Sequence, residues 1–206
     1  MPGYTFEGDP MRTKPSSQLN GIARLAPRGI AARILLGTMS AYLLLSSSTV
    51  LHAQDLRALL LGELRSTHDH EEWFVPVQIA LSDLTPAQAS WTHDKANHSI
   101  GQLANHLLFW NRRQLQNLKG EKADAYDGNN NETFNAFNAT NWAATVRDLN
   151  SVLTEVEALV QRADENQLKK IASTISHIAT HNAYHTGQII LIRKEQGWWD
   201  PSKGVK

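Results

Sequence analysis

His177-Ile178-Ala179-Thr180-His181-Asn182-Ala183-Tyr184-His185-Thr186-Gly187-Gln188-Ile189 is the stretch on which the fold turns. Its three histidines recur at successive i, i+4 steps, so in a helix they climb one side. At about 100° per residue with His177 as origin, His181 lies near 40° and His185 near 80°. Ile171, Thr174, Ile178, Ile189 and Ile192 fall between about 60° and 120° on the same wheel. His185 is therefore in the middle of the apolar stripe, His181 on its edge, and His177 turning out of it. Gln188 lies beside His181. Two imidazoles on an apolar face are costly unless their nitrogens find partners. A metal ion satisfies both at once, and ordinary hydrogen-bonded core histidines are the bland alternative.

Working outward, this helix runs from about Gln167 to Gln196, with Gly197 as its stop and Pro201 just beyond. Upstream, helical spacing of Leu56, Leu59, Leu60, Leu64, Phe74, Val77 and Leu81 predicts a first helix from about Asp55 to Leu84. Pro76 lies inside it and should kink or break it at Val75. Thr85-Pro86-Ala87 opens a short turn of helix, and Thr92 to Asn97 is loop. Ser99, with Gln102 three residues on, is a capping box for a second helix that reaches Leu118 and stops at Gly120. Residues 120–139 are polar and read as a surface loop. A third helix spans about Thr140 to Val160. No stretch alternates in the strand period. The fold class is all-α, a four-helix bundle, and the long loop predicts one crossover connection in place of a simple up-down order.

The second helix offers His106 as a third ligand. It lies about 120° round from the stripe through Ile100, Leu107, Gln114 and Leu118, so spacing permits the role without demanding it. His68 and His70, among Asp69, Glu71 and Glu72, read as solvated surface. His93 and His98 sit in loop and carry little information. The six tryptophans read as core and helix-end packing.

Twenty Lys+Arg balance twenty Asp+Glu in 206 residues, which argues against nucleic acid as the main partner. The absence of cysteine removes disulfides, Cys-zinc sites, iron–sulfur clusters and thiol nucleophiles. The balance hides an asymmetry: residues 1–53 carry Arg12, Lys14, Arg24, Arg28 and Arg33 against Glu7 and Asp9. After Arg33 comes an apolar run through Leu51, then Ala53 before the polar Gln54. That order predicts a secretory leader over 1–53, cleaved after Ala53, and an exported, periplasmic or extracellular working domain over 54–206. An uncleaved anchor is the competing reading, but the Ser/Thr run makes this a poor spanning segment and predicts no stable membrane span in the mature form.

The block Ser99 to Trp110, the His181-Asn182-Ala183-Tyr184-His185-Thr186-Gly187-Gln188 block, Leu84 to Ala89 and the tail Gly197 to Pro201 together resemble the DinB family, the DinB/YfiT-like metalloenzymes. The resemblance covers essentially all of 54–206 and is most specific in the H-x-x-x-H-x-G-Q core. It implies a bundle with a rearranged up-down-down-up order and often a homodimer. It also implies a divalent metal cofactor, commonly nickel or zinc, on three histidines that match His106, His181 and His185. His177 matches a position outside the ligand set. Relatives include small-thiol transferases, a thiol-dependent isomerase and a hydrolase; the signal-like leader departs from their cytosolic pattern. A metal-dependent transferase or hydrolase acting on a small molecule is the expectation, with a non-catalytic metal-binding or stress-related bundle as the alternative. No Asp or Glu in these blocks is placed as a general base, so the ion itself would have to activate the nucleophile. Gln188 is the candidate for orienting a ligand or a bound water.

Overall fold

The computed structural model describes residues 55–94, 97–123 and 125–204. The leader expected over 1–53 lies outside them. All regular structure among the described residues is helical. Four long helices make the bundle: α1 over residues 55–68, then, with α2, α3 and α5 short, α4 (Ile100–Lys119), α6 (Trp142–Arg162) and α7 (Glu165–Glu195). The short ones are α2 (Val77–Leu81), α3 (Pro86–Ser90) and α5 (Glu132–Asn135). No helix among the described residues is long and apolar enough to cross a membrane.

Helix ends follow local chemistry. Ser99 and Gln102 exchange the reciprocal bonds of a capping box at the start of α4, and Asp164 with Gln167 does the same for α7. Gly120 closes α4 in the left-handed conformation at φ 72°, where a side chain would be strained. α6 is led in by a 3₁₀ turn at Ala139–Asn141.

Cross-helix partners set the directions. Arg57 donates to the Ala163 carbonyl (2.6 Å) while His68 meets Asn150 (2.8 Å), so α1 and α6 run antiparallel. Arg112 pairs with Asp148 (3.6 Å) and, two turns on, Lys119 pairs with Glu155, so α4 and α6 run parallel. His106 meets His181 and His185, whereas Gln114 shares a cleft with Thr174 and His177, so α4 and α7 run antiparallel. The chain order is therefore up, down, down, up. A parallel neighbour demands a connection that returns the length of the bundle, and residues 120–141 supply it. The apolar core (Leu64, Ile100, Leu107, Leu149, Leu153 and Ile189 among its fully buried members) fills the space between these helices.

Four sequence expectations change. The break expected at Val75 is present but begins earlier: residues 69–74 are already non-helical and exposed, and α2 starts only after Pro76. The charged run from Asp69 to Glu72 offers nothing to bury, so no packing holds that turn together. Residues 120–139 are not wholly surface, because α5 buries Thr133 and Phe134. The buried arc of α7 also differs. It includes Leu168, Ile175, Asn182, Thr186 and Ile190 as well as Ile178 and Ile189 of the isoleucine stripe, because α7 packs on both α4 and α2. His185 stands at the rim of that arc, not its middle. Finally, Trp142 and Trp199 are core but Trp73 is 96% exposed, so the packing expectation fails there.

Candidate metal centre

α4 delivers His106 and α7 delivers His181 and His185 to one point. His181 Nε2 lies 3.1 Å from His106 Nε2 and 3.1 Å from His185 Nε2. One nitrogen from each ring lies within 4.8 Å of the other two, which makes them a group able to hold a metal ion. His106 is 3% exposed and His185 7%; His181 is half-buried. His177, one turn below His181, is exposed and stands outside the group, as the wheel predicts.

The opposite ring nitrogens fix the protonation. His185 Nδ1 is 2.6 Å from Gln188 Oε1, an oxygen that only accepts, so Nδ1 carries the proton and Nε2 presents a lone pair. His106 Nδ1 is 2.5 Å from Thr133 Oγ1, and that hydroxyl spends its own proton on the Asn130 carbonyl (2.7 Å). His106 Nε2 is thus a lone pair as well. His181 has one proton at most to offer on Nε2 and two lone pairs facing it. At least one edge of the cluster sets lone pair against lone pair unless a cation stands between them. Tetrahedral metal–nitrogen bonds of about 2.0–2.1 Å place nitrogens about 3.3 Å apart, close to the two edges seen. The donor set fits a divalent ion.

Electrostatics agree. Burial first, then the charges of His185, His181 and His98, lower the His106 pKa to about 3. Burial and the His185 charge lower His181 to about 4. His185 is lowered by burial and by His98, against a raising bond to Gln188. All three rings are neutral near pH 7, the form that ligates metal.

Residues that spacing did not single out complete the site. Phe134 from α5 stacks on His106 at 3.9 Å on one face and on His98 at 3.8 Å on the other. His98 is therefore a wall of the centre, not an idle loop residue. Beneath the rings, Asn111 of α4 donates to Asn182 Oδ1 (2.8 Å); Asn182 is fully buried, and the pair fixes the register of α4 against α7. On the open side a cleft of about 440 Å³ descends to His106 and His181 between Trp110 and Ile178.

A second cluster, His68 with Asp69 and Glu157, has a different character. His68 is 3% exposed, which overturns its reading as solvated surface; His70 is exposed as expected. One ring nitrogen meets Glu157 Oε1 (2.6 Å) and the other Asn150 Oδ1 (2.8 Å). Both partners are acceptors, so the ring is an imidazolium and has no lone pair for a metal. Burial lowers its pKa, but the bonds to Glu157 and Asn150 outweigh that and the net shift is upward. The sequence signal was present: His68 falls four residues after the core Leu64.

Comparison with known proteins agrees with this geometry at the level of family. A model of the DinB superfamily matches residues 77–189, a span that runs from α2 through both α7 histidines of the centre. No curated protein and no solved structure matches the chain. On the strength of that match, which covers more than half its length, the chain belongs to the DinB superfamily.

Proposed function

We propose that His106, His181 and His185 hold one divalent ion, zinc or nickel, and that the protein is a metal-dependent enzyme of the transferase or hydrolase type. The observation that carries this reading is the triangle of ring nitrogens whose outer protons are already committed to Thr133 and Gln188. Three neutral imidazoles leave coordination open, the arrangement of a catalytic and not a closed structural site. The ion, when bound, supplies a Lewis acid that lowers the pKa of a water or thiol and polarises a carbonyl. The chain's own part is to orient and to shield. Gln188 and Thr133 hold two rings in the ligating tautomer. Phe134 covers His106, and the cleft between Trp110 and Ile178 leaves a path for a small molecule.

Metal analysis of protein purified without chelator or affinity histidines tests the reading. One ion per chain is expected, with uptake abolished by His185→Ala and unchanged by His177→Ala. Equal loss from both substitutions overturns the ligand set. Cobalt-substituted protein then tests for an open position: a small thiol should shift the visible spectrum, and a closed structural site would ignore it.

A further inference from the structure

We propose that the cleft over the histidine centre takes an uncharged ligand combining a flat apolar part with amide or hydroxyl groups. The inference rests on the metal-centre reading for what the ligand approaches, and it names the ligand class of that same site.

The lining decides the charge. None of the residues around this 440 Å³ space is Asp, Glu, Lys or Arg. Away from the ion, a charged group of the ligand would give up water without a counter-charge from the walls, a loss that a neutral polar group avoids. Three of the polar side chains that face the space are unspent. The side chains of Gln114, Thr174 and His177 hold no hydrogen bond among the described residues, although the Thr180 hydroxyl on the same helix bonds back to the helix backbone. Gln114 and Thr174 each donate and accept, so they match an amide or a hydroxyl in either sense.

The apolar wall decides the shape. Trp110 donates its indole N–H to Asn130 Oδ1 (3.2 Å) and packs edge-on against His106 and Tyr126. The ring is thereby held in place while the cleft keeps its flat surface, with Ile178 opposite. A planar group of one ring fills such a slot, and a cleft of this volume is of ordinary size for a small ligand.

The test uses three isosteric probes, benzamide, benzoate and benzamidine, titrated by ligand-observed NMR against zinc-loaded and chelator-treated protein. The chelated form matters because a carboxylate could otherwise bind the ion itself. Benzamide should bind both forms, and bind the chelated form about fivefold or more tightly than either charged probe, the factor that one net hydrogen bond supplies. Gln114→Leu and Thr174→Val, each shown by circular dichroism to keep its helix content, should each weaken benzamide by about the same factor. Equal binding of the charged probes, binding of none of the three, or indifference to both substitutions overturns the proposal. Failure of the metal reading shows separately, as ion content below one per chain, while benzamide binding to the chelated protein is unaffected by it.

Discussion

Thr133 and Gln188 act on the histidines through single hydrogen bonds, and each bond holds a ring in one tautomer. Removing such a partner typically costs about 10–100-fold in metal affinity. Thr133→Val and Gln188→Leu should each weaken zinc binding within that range with stoichiometry kept at one, as read by competition against a chromophoric chelator. Unchanged affinity would mean that the rings are held by packing alone. Protonation gives a second expectation. The chelated, folded protein resists protonating His106 and His181 until about pH 3 and 4, whereas the unfolded chain takes up those protons near 6.5. The stability they contribute is fully present above pH 6.5 and is lost as pH falls below it. His68 has the opposite sign: its raised pKa stabilises below 6.5, and that share is lost as pH rises through the folded value. Urea titrations of chelated protein should therefore show stability climbing between pH 4 and 6.5, and His68→Asn should remove a decline on the alkaline side. His181 and His185 were legible because helical spacing put them beside isoleucines. Thr133, Phe134 and His98 were not, because a four-residue helix and the chain before Ser99 are too short to show a period from which to infer what they face.

Among the elements, α5 is the shortest α-helix, and it brings Thr133 and Phe134 against His106. Its placement relies on a close approach: a Cβ on Gly101 would stand 2.1 Å from the Phe137 ring. Phe137 lies three residues beyond Phe134, so displacing one disturbs the other. Gly101→Ala should cost about 1–3 kcal/mol, the usual penalty of overpacking, measured by urea denaturation. Phe137→Leu in the same chain should recover part of it; if the double variant is worse than Gly101→Ala alone, the clash is not the cause. The long helices α4, α6 and α7 were readable to within two or three residues because caps and stops are local chemistry: Ser99 with Gln102, Gly120, Gly197. The break before Pro76 was readable but its start after His68 was not, since apolar spacing resumes at Val77 in nearly the same phase and masks a charged run that nothing buries. The reciprocal Asn111–Asn182 bonds escaped for a different reason. An amide on a buried arc looks like an outlier until the facing helix supplies its match.

For the molecule as a whole, the parallel pairing of α4 with α6 makes residues 120–141 more than a link. They return the chain to the end where the centre lies and bring Thr133 and Phe134 to it on the way. Gly128, exposed and at φ 91°, divides the path into two pieces with unequal shares of the site. The first piece keeps His106 and His98; the second keeps His181, His185, Thr133 and Phe134. The fold can thus be viewed as two interlocking halves, neither of which contains a complete donor set. Because α1 from the first half lies against α6 from the second, and α4 against both α6 and α7, reassociation would rebuild core and centre together. Fragments 55–128 and 129–204, prepared separately, should each fail to retain zinc through gel filtration and should retain one equivalent when mixed. Full retention by 129–204 alone would exclude His106 from the ligand set. Split at this glycine, the protein becomes a sensor of its own reunion, with the metal as the signal.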